Sequence, residues 1–292
     1  MPWSVLISPS NLETIQKIRA NKLEFGYFES GKGPLVLMLH GFPDTAHTWL
    51  GLMPQIADLG FRVVAPFMRG YSPTQAAPDG NYSAQVLGQD ILELISALGS
   101  KTAIVIGHDW GALAAYSAAN IDASKISKLV TLAIPHPRAL RSDFKTLRKA
   151  SHFLTFQLRN RSIKLLRKNN HAYVDRIYRL WSPDWDYSAQ ELSNIKAAFS
   201  EPGVIEAALG YYWSYAESRR IPAANRPTRK LTSVATMTLV GENDGALNLE
   251  VMPDTRDAFT GDYEYSVVVG TGHFLHREAP DTVFEHIRNF IS

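Results

Sequence analysis

The 292-residue chain is 45% hydrophobic and 20% charged, has no cysteine, and sets 30 Lys and Arg against 28 Asp and Glu for a formal net charge of +2. A chain of this length allows one large α/β domain, or a core of roughly 200 residues with an inserted module. The composition excludes a disulfide-built scaffold, a cysteine nucleophile, an iron–sulfur cluster and a thiolate zinc site. The balanced charge gives no sign of nucleic acid or an anionic membrane as partner, so a small-molecule partner is expected.

The opening stretch MPWSVLISPSNLETIQ has neither a basic leader nor the apolar run of a signal peptide, and no later run reaches a membrane-spanning length. That pattern predicts a soluble cytoplasmic protein. Alternation from Thr14 to Glu29 predicts two exposed strands turning near Ala20-Asn21. The apolar run Pro34 to Leu39, bounded by Gly33 and Gly41, predicts a strand buried on both faces, as parallel sheets require. Further strands are expected at Arg62–Ala65, Ala103–Ile106, Leu129–Ile134, Ala235–Val240 and Tyr265–Val269. Helical patterns fall at Trp49–Leu59, Ser83–Leu98, Gly111–Asn120 and Pro280–Ile291. Strands alternating with helices of this length predict an α/β fold, a doubly wound and mostly parallel sheet.

The rhythm breaks between Pro137 and Lys230, where segments 147–159, 162–169, 173–181, 191–199 and 205–218 are all patterned as helices. This predicts a helical cap at 137–230, inserted between core segments 1–136 and 231–292. In the basic run from Arg141 to Lys168 the charges alternate with Leu and Phe at helical spacing, so it reads as a solvated helix face and not as a nucleic-acid site.

Ligands of open α/β sheets bind at the carboxyl edge of the strands. Gly107-His108-Asp109-Trp110-Gly111 follows the strand AIVIG and opens a helix. This is the setting of the G-x-S-x-G nucleophile elbow, with Asp109 where a serine would stand. The helix start favours a carboxylate there, although a simple helix-capping role for Asp109 is open on sequence alone. Attack by a carboxylate on an amide or ester gives a mixed anhydride. Attack on an electrophilic sp³ carbon gives an ordinary ester that water can later cleave, which favours epoxides or alkyl halides.

Such an ester needs a base to activate water. His273, in Gly270-Thr271-Gly272-His273-Phe274 after the last strand, has the ordinary pKa for it. Asp244, 29 residues earlier and after the strand MTLVG, is placed to orient that imidazole, with Glu242 as rival. His276 reads as a surface or helix-entry residue. The order nucleophile, acid, His is that of the α/β-hydrolase triad. In His40-Gly41-Phe42-Pro43-Asp44, Pro43 rigidifies the turn, with a cis bond from Phe42 as one option. The backbone N–H groups of Phe42 and Trp110 then form the expected oxyanion hole.

HGFPD, RGYS (Arg69 to Ser72), GHDWGA, the GxxD of Gly241 to Asp244 and GTGHFLHREAP occur in the order found in epoxide hydrolases. Over residues 14–136 and 230–292 the chain resembles the epoxide hydrolase branch of the α/β-hydrolase superfamily, to which haloalkane and fluoroacetate dehalogenases are similar. The resemblance implies an eight-stranded sheet with helices on both faces and a helical cap. It also implies hydrolysis of a small apolar epoxide to a vicinal diol, by a monomer or homodimer; no HExxH or glycine-rich dinucleotide fingerprint follows a strand and the scattered histidines form no ligand set, so neither metal nor cofactor is expected. Two cap side chains would hydrogen-bond and protonate the epoxide oxygen. One matches Tyr212, with Tyr211 beside it as rival. The other falls on His152 where a tyrosine is usual, and is ambiguous between an epoxide oxygen, a leaving halide and an ordinary helix-face histidine. His40, Pro43, Tyr211, Phe153 and Phe274 are the expected substrate-binding residues.

Three departures bear on the alternatives. The arginine clamp of fluoroacetate dehalogenases is replaced by Trp110 and Leu113. Phe42 lacks the side-chain donor that haloalkane dehalogenases place there. Leu132 to His136 holds no carboxylate to compete with Asp244. A dehalogenase on the same scaffold, or a catalytically silent ligand-binding homologue, remains the alternative reading.

Overall fold

A computed structural model describes residues 14–139, 149 and 151–292. The amino-terminal leader reading, and the part of the expected basic run and first cap helix that falls on residues 140–148 and 150, lie outside the described residues. Eight strands form one sheet: β1 (Gln16–Ala20), β2 (Leu23–Ser30), β3 (Leu35–Leu39), β4 (Arg62–Pro66), β5 (Ala103–His108), β6 (Ile126–Leu132), β7 (Thr236–Gly241) and β8 (Tyr263–Val268). Their order across the sheet is β1-β2-β4-β3-β5-β6-β7-β8. β1 runs antiparallel to β2 and β2 antiparallel to β4, and every other pair is parallel.

The central strands read as they pack. All five residues of β3 and all six of β5 are buried, and each enclosed Val, Leu or Ile contributes about 1.5–3 kcal/mol of transfer free energy. β1 and β2 turn through Asn21 and Lys22, both with positive φ. β1 is the exposed edge, but the expectation that β2 is exposed too does not hold. Pairing on both sides, with β1 and β4, carries Leu23, Phe25, Tyr27 and Phe28 into the core. The helix expected at Trp49–Leu59 divides into a 3₁₀ turn at Ala46–Trp49 and α1 (Met53–Asp58). Pro54 lacks an N–H and fits best in the first turn of a helix, and it stands second in α1, directly after Met53.

α2 (Ala84–Ala97) packs on α3 (Trp110–Ile121), and α1 packs on the carboxyl-terminal helix, so helices cover both faces of the sheet. Between β6 and β7 the chain leaves the core. It forms α4 (Ser151–Gln157), α5 (Arg159–Arg167), α6 (Ala172–Trp181), α7 (Ser193–Ser200) and α8 (Val204–Ser218), an inserted helical cap. After β8 come α9 (Leu275–Glu278) and α10 (Pro280–Ile291). Parallel pairing of β3, β5, β6, β7 and β8 brings the segments after β3, β5, β7 and β8 to one edge of the sheet, beneath the cap. No helix among the described residues is long and apolar enough to cross a membrane.

Candidate active site

Asp109 lies alone between the end of β5 and the start of α3, with φ +51° and ψ −116°. A non-glycine residue in such a region marks stored strain that surrounding packing must hold. Gly111 shows how tightly: a Cβ there would stand 2.2 Å from the Leu39 carbonyl oxygen. The Asp109 side chain does not cap α3, so the simple capping role is set aside. Instead its Oδ1 accepts the Phe42 backbone N–H at 2.8 Å. The Phe42–Pro43 peptide is cis. Trp110 is the first residue of α3, so its N–H is one of the amides a helix leaves without an internal partner.

His273 follows β8 and donates from Nδ1 to Asp244 Oδ2 at 2.8 Å. Its Nε2 lies 3.6 Å from Asp109 Oδ2. The other Asp244 oxygen accepts the N–H groups of Ala246 (2.7 Å) and Leu247 (2.9 Å), which fixes the carboxylate from both ends. Glu242 is not the orienting acid, because it is exposed and accepts the Gly270 N–H. Burial alone would lift the Asp109 pKa, but His273, His108 and the Phe42 N–H outweigh it and hold the carboxyl below its usual range. For His273 burial works against the charged form, yet Asp244 and Asp109 prevail and push the pKa up to about 10. The resting pair is therefore a carboxylate facing an imidazolium.

The cap supplies the opposite wall. Tyr212, on α8, stands edge-on to Phe42 (5.2 Å between ring centres), Trp110 (4.9 Å) and Phe153 (4.9 Å), and His152 of α4 is 5.9 Å away. Phe156 and Trp181 close this aromatic enclosure. Burial, then the nearby Asp109 charge, raise the Tyr212 pKa well above 10, against the Trp110 indole, so its hydroxyl keeps its proton. Burial pulls His152 down to about 4 against the Asp109 charge, so its ring is neutral. The Lys149 backbone, one helical turn earlier, lies against the His152 ring and favours its protonated form, but not enough to offset burial.

Several expected pocket residues serve otherwise. His40 spends both ring nitrogens on the backbone, Nδ1 on the Gly41 carbonyl (3.0 Å) and Nε2 on the Met68 N–H (3.0 Å). It builds the loop that presents Phe42. Tyr211 donates its hydroxyl to the Arg69 carbonyl at 2.8 Å and stacks on Tyr82, which removes it as the rival acid. Phe274 is fully enclosed and stacked on Tyr178 at 3.9 Å, a packing residue beneath the site. Pro43 faces the cap through its carbonyl, which accepts the Tyr178 hydroxyl. His276 is a buried residue of α9 bonded to Thr48, not a surface group.

Residues 34–280 match the family model described as alpha/beta hydrolase fold. The chain belongs to that family. It is 29% identical over 266 residues to the AB hydrolase superfamily protein YfhM of Bacillus subtilis, covering 89% of this chain and 90% of the relative. It is 26% identical over 288 residues to human Epoxide hydrolase 4, covering 94% and 77%. Among solved structures, epoxide hydrolase VrEH1 from Vigna radiata superposes with a TM-score of 0.83 at 23% identity, over 95% of this chain and 97% of that one, a likeness of fold.

Within this α/β hydrolase, sequence reasoning missed three contributors. His108, held neutral by burial with a pKa near 3, donates Nε2–H to the His273 carbonyl at 3.0 Å, tying the elbow to the base. Phe156 stands one helical turn after His152, an i, i+4 spacing that the sequence does display. Trp181 packs its ring against His273 at 4.9 Å. No local pattern announces it, because its partner is 92 positions away.

Proposed function

We propose that this α/β hydrolase converts a small apolar epoxide to a vicinal diol through an alkyl ester on Asp109, with residues 137–230 acting as the cap. The observation that carries the reading is the pairing of Asp109, backed by His273 and Asp244, with a protonated Tyr212 and His152 on the facing wall. An Asp109 oxygen attacks an epoxide carbon, the C–O bond breaks, and the leaving oxygen takes a proton from Tyr212 while His152 hydrogen-bonds to it. The proton carried by resting His273 restores Tyr212 and leaves a neutral imidazole. That imidazole takes a proton from water as hydroxide attacks the ester carbonyl carbon. The backbone N–H groups of Phe42 and Trp110 hold the resulting oxyanion. Collapse expels the diol, which takes the tetrahedral intermediate's hydroxyl proton, and returns a carboxylate and an imidazolium. The aromatic enclosure of Phe42, Trp110, Phe153, Phe156 and Trp181 supports an apolar substituent on the substrate.

Tyr212→Phe tests the acid. It preserves the ring packing and removes one donor, so epoxide turnover is expected to fall about 10²-fold with little change in melting temperature. The check is diol formation from a panel of epoxides, with alkyl halides assayed alongside. Halide release faster than diol formation by the parent protein would favour the dehalogenase reading.

A further inference from the structure

The last four carbonyls of a helix have no partner within it. At the end of α6 in the cap, the Trp181 carbonyl accepts the backbone N–H of His273 at 3.0 Å and that of Gly245 at 3.0 Å. One oxygen thus joins the loop that carries the base to the loop that carries the acid. The next residue extends the bracing. Ser182 Oγ accepts the Phe274 N–H at 3.2 Å and donates to Glu278 Oε1 at 2.6 Å. Glu278 Oε2 accepts the Gly272 N–H at 2.7 Å. Three successive amides, those of Gly272, His273 and Phe274, are therefore held by Glu278, Trp181 and Ser182. The approach leaves no room for side chains: a Cβ at Gly245 would stand 1.8 Å from the Leu180 oxygen, and one at Gly272 2.4 Å from the Ser182 Cα. Ser182 is fully buried.

We infer that Ser182 and Glu278 are positioning residues that, with the Trp181 carbonyl, splint the His273 loop to the Asp244 loop, so that the cap sets the geometry of the water-activating step. The inference rests on the two-step reaction proposed above. Attack on the epoxide uses Asp109, Phe42, Tyr212 and His152, none of which is hydrogen-bonded to this splint. Hydrolysis of the ester needs the His273 imidazole aimed at a water molecule beside Asp109, and small displacements of such a group are costly. The splint therefore acts on the second step alone.

Ser182→Ala removes the hydroxyl that links Phe274 to Glu278, and Glu278→Gln weakens the same bracing at nearly constant volume. Each is mixed rapidly with a limiting epoxide, and ester on the protein and free diol are followed separately. Ester formation is expected to stay within about threefold of the parent, while ester hydrolysis slows about 10- to 100-fold, so that ester accumulates. Should Ser182→Ala fail to fold, Glu278→Gln alone decides. Unchanged hydrolysis, or both steps slowed by one common factor, would overturn the inference while leaving the reaction intact. Absence of ester from both the parent and His273→Gln protein would overturn the reaction, and the splint with it.

Discussion

His273→Gln protein is expected to accumulate one substrate mass as an ester on Asp109 while diol formation falls at least about 10⁴-fold. The two steps separate because only the second needs a base: in the first, His273 helps to hold Asp109 ionised but takes no proton. Its Nε2 is 3.6 Å from Asp109 Oδ2, and attack draws on the carboxylate and the Tyr212 hydroxyl. In the resting protein Asp244 and Asp109 overcome burial and raise the His273 pKa to about 10. Alkylation converts Asp109 to a neutral ester, which removes one of the two charges that raised it. The pKa must then fall, and the imidazole becomes available as a base when the ester needs one. In native protein, ester hydrolysis therefore rises with pH through a pKa lower than that of the resting enzyme and is lost as pH drops below it. Glutamine has no basic nitrogen at any of these pH values. Intact-protein mass after incubation with an epoxide checks the outcome, and an unmodified His273→Gln protein would count against it.

Asp109→Asn is expected to abolish both ester and diol, a loss of at least about 10⁴-fold. An amide oxygen or nitrogen is a far weaker nucleophile than the carboxylate that the Phe42 N–H and His273 hold ionised. The substitution spares the fold, because Asn is among the few residues that tolerate positive φ and its side-chain oxygen can still accept the Phe42 N–H. Circular dichroism and melting temperature should match the parent while diol assays and intact mass show no reaction. Activity that returns slowly on storage would mark deamidation to Asp. Full turnover by freshly prepared, sequence-verified Asn protein would contradict the assignment.

The elbow was legible because glycines at positions 107 and 111 frame one exposed side chain after an unmistakable buried strand. Asp244 was legible through chain order, and the exposure of Glu242 on the folded chain decides against that rival. What stayed hidden depended on contacts between distant segments. His40 looked like a pocket residue until the turn after β4 brought the Met68 N–H to it. Tyr211 and Tyr212 are neighbours on α8 and point about 100° apart, so only the docking of the cap tells which faces Asp109. Ser182 and Glu278 act through backbone amides of residues 272 and 274, and backbone partners leave no signature in side-chain spacing. The burial of β2 was missed for a related reason: alternation reports which faces differ, and pairing with β4 decides whether both are covered.

Delivery of an Asp109 oxygen to the substrate can be read from one turnover in ¹⁸O water with protein in excess over epoxide. Attack by Asp109 predicts an unlabelled diol and one ¹⁸O atom in the Asp109 carboxylate, located by peptide mass spectrometry. Label in the diol, with none in the Asp109 peptide, would mean that water opens the epoxide directly and would contradict it.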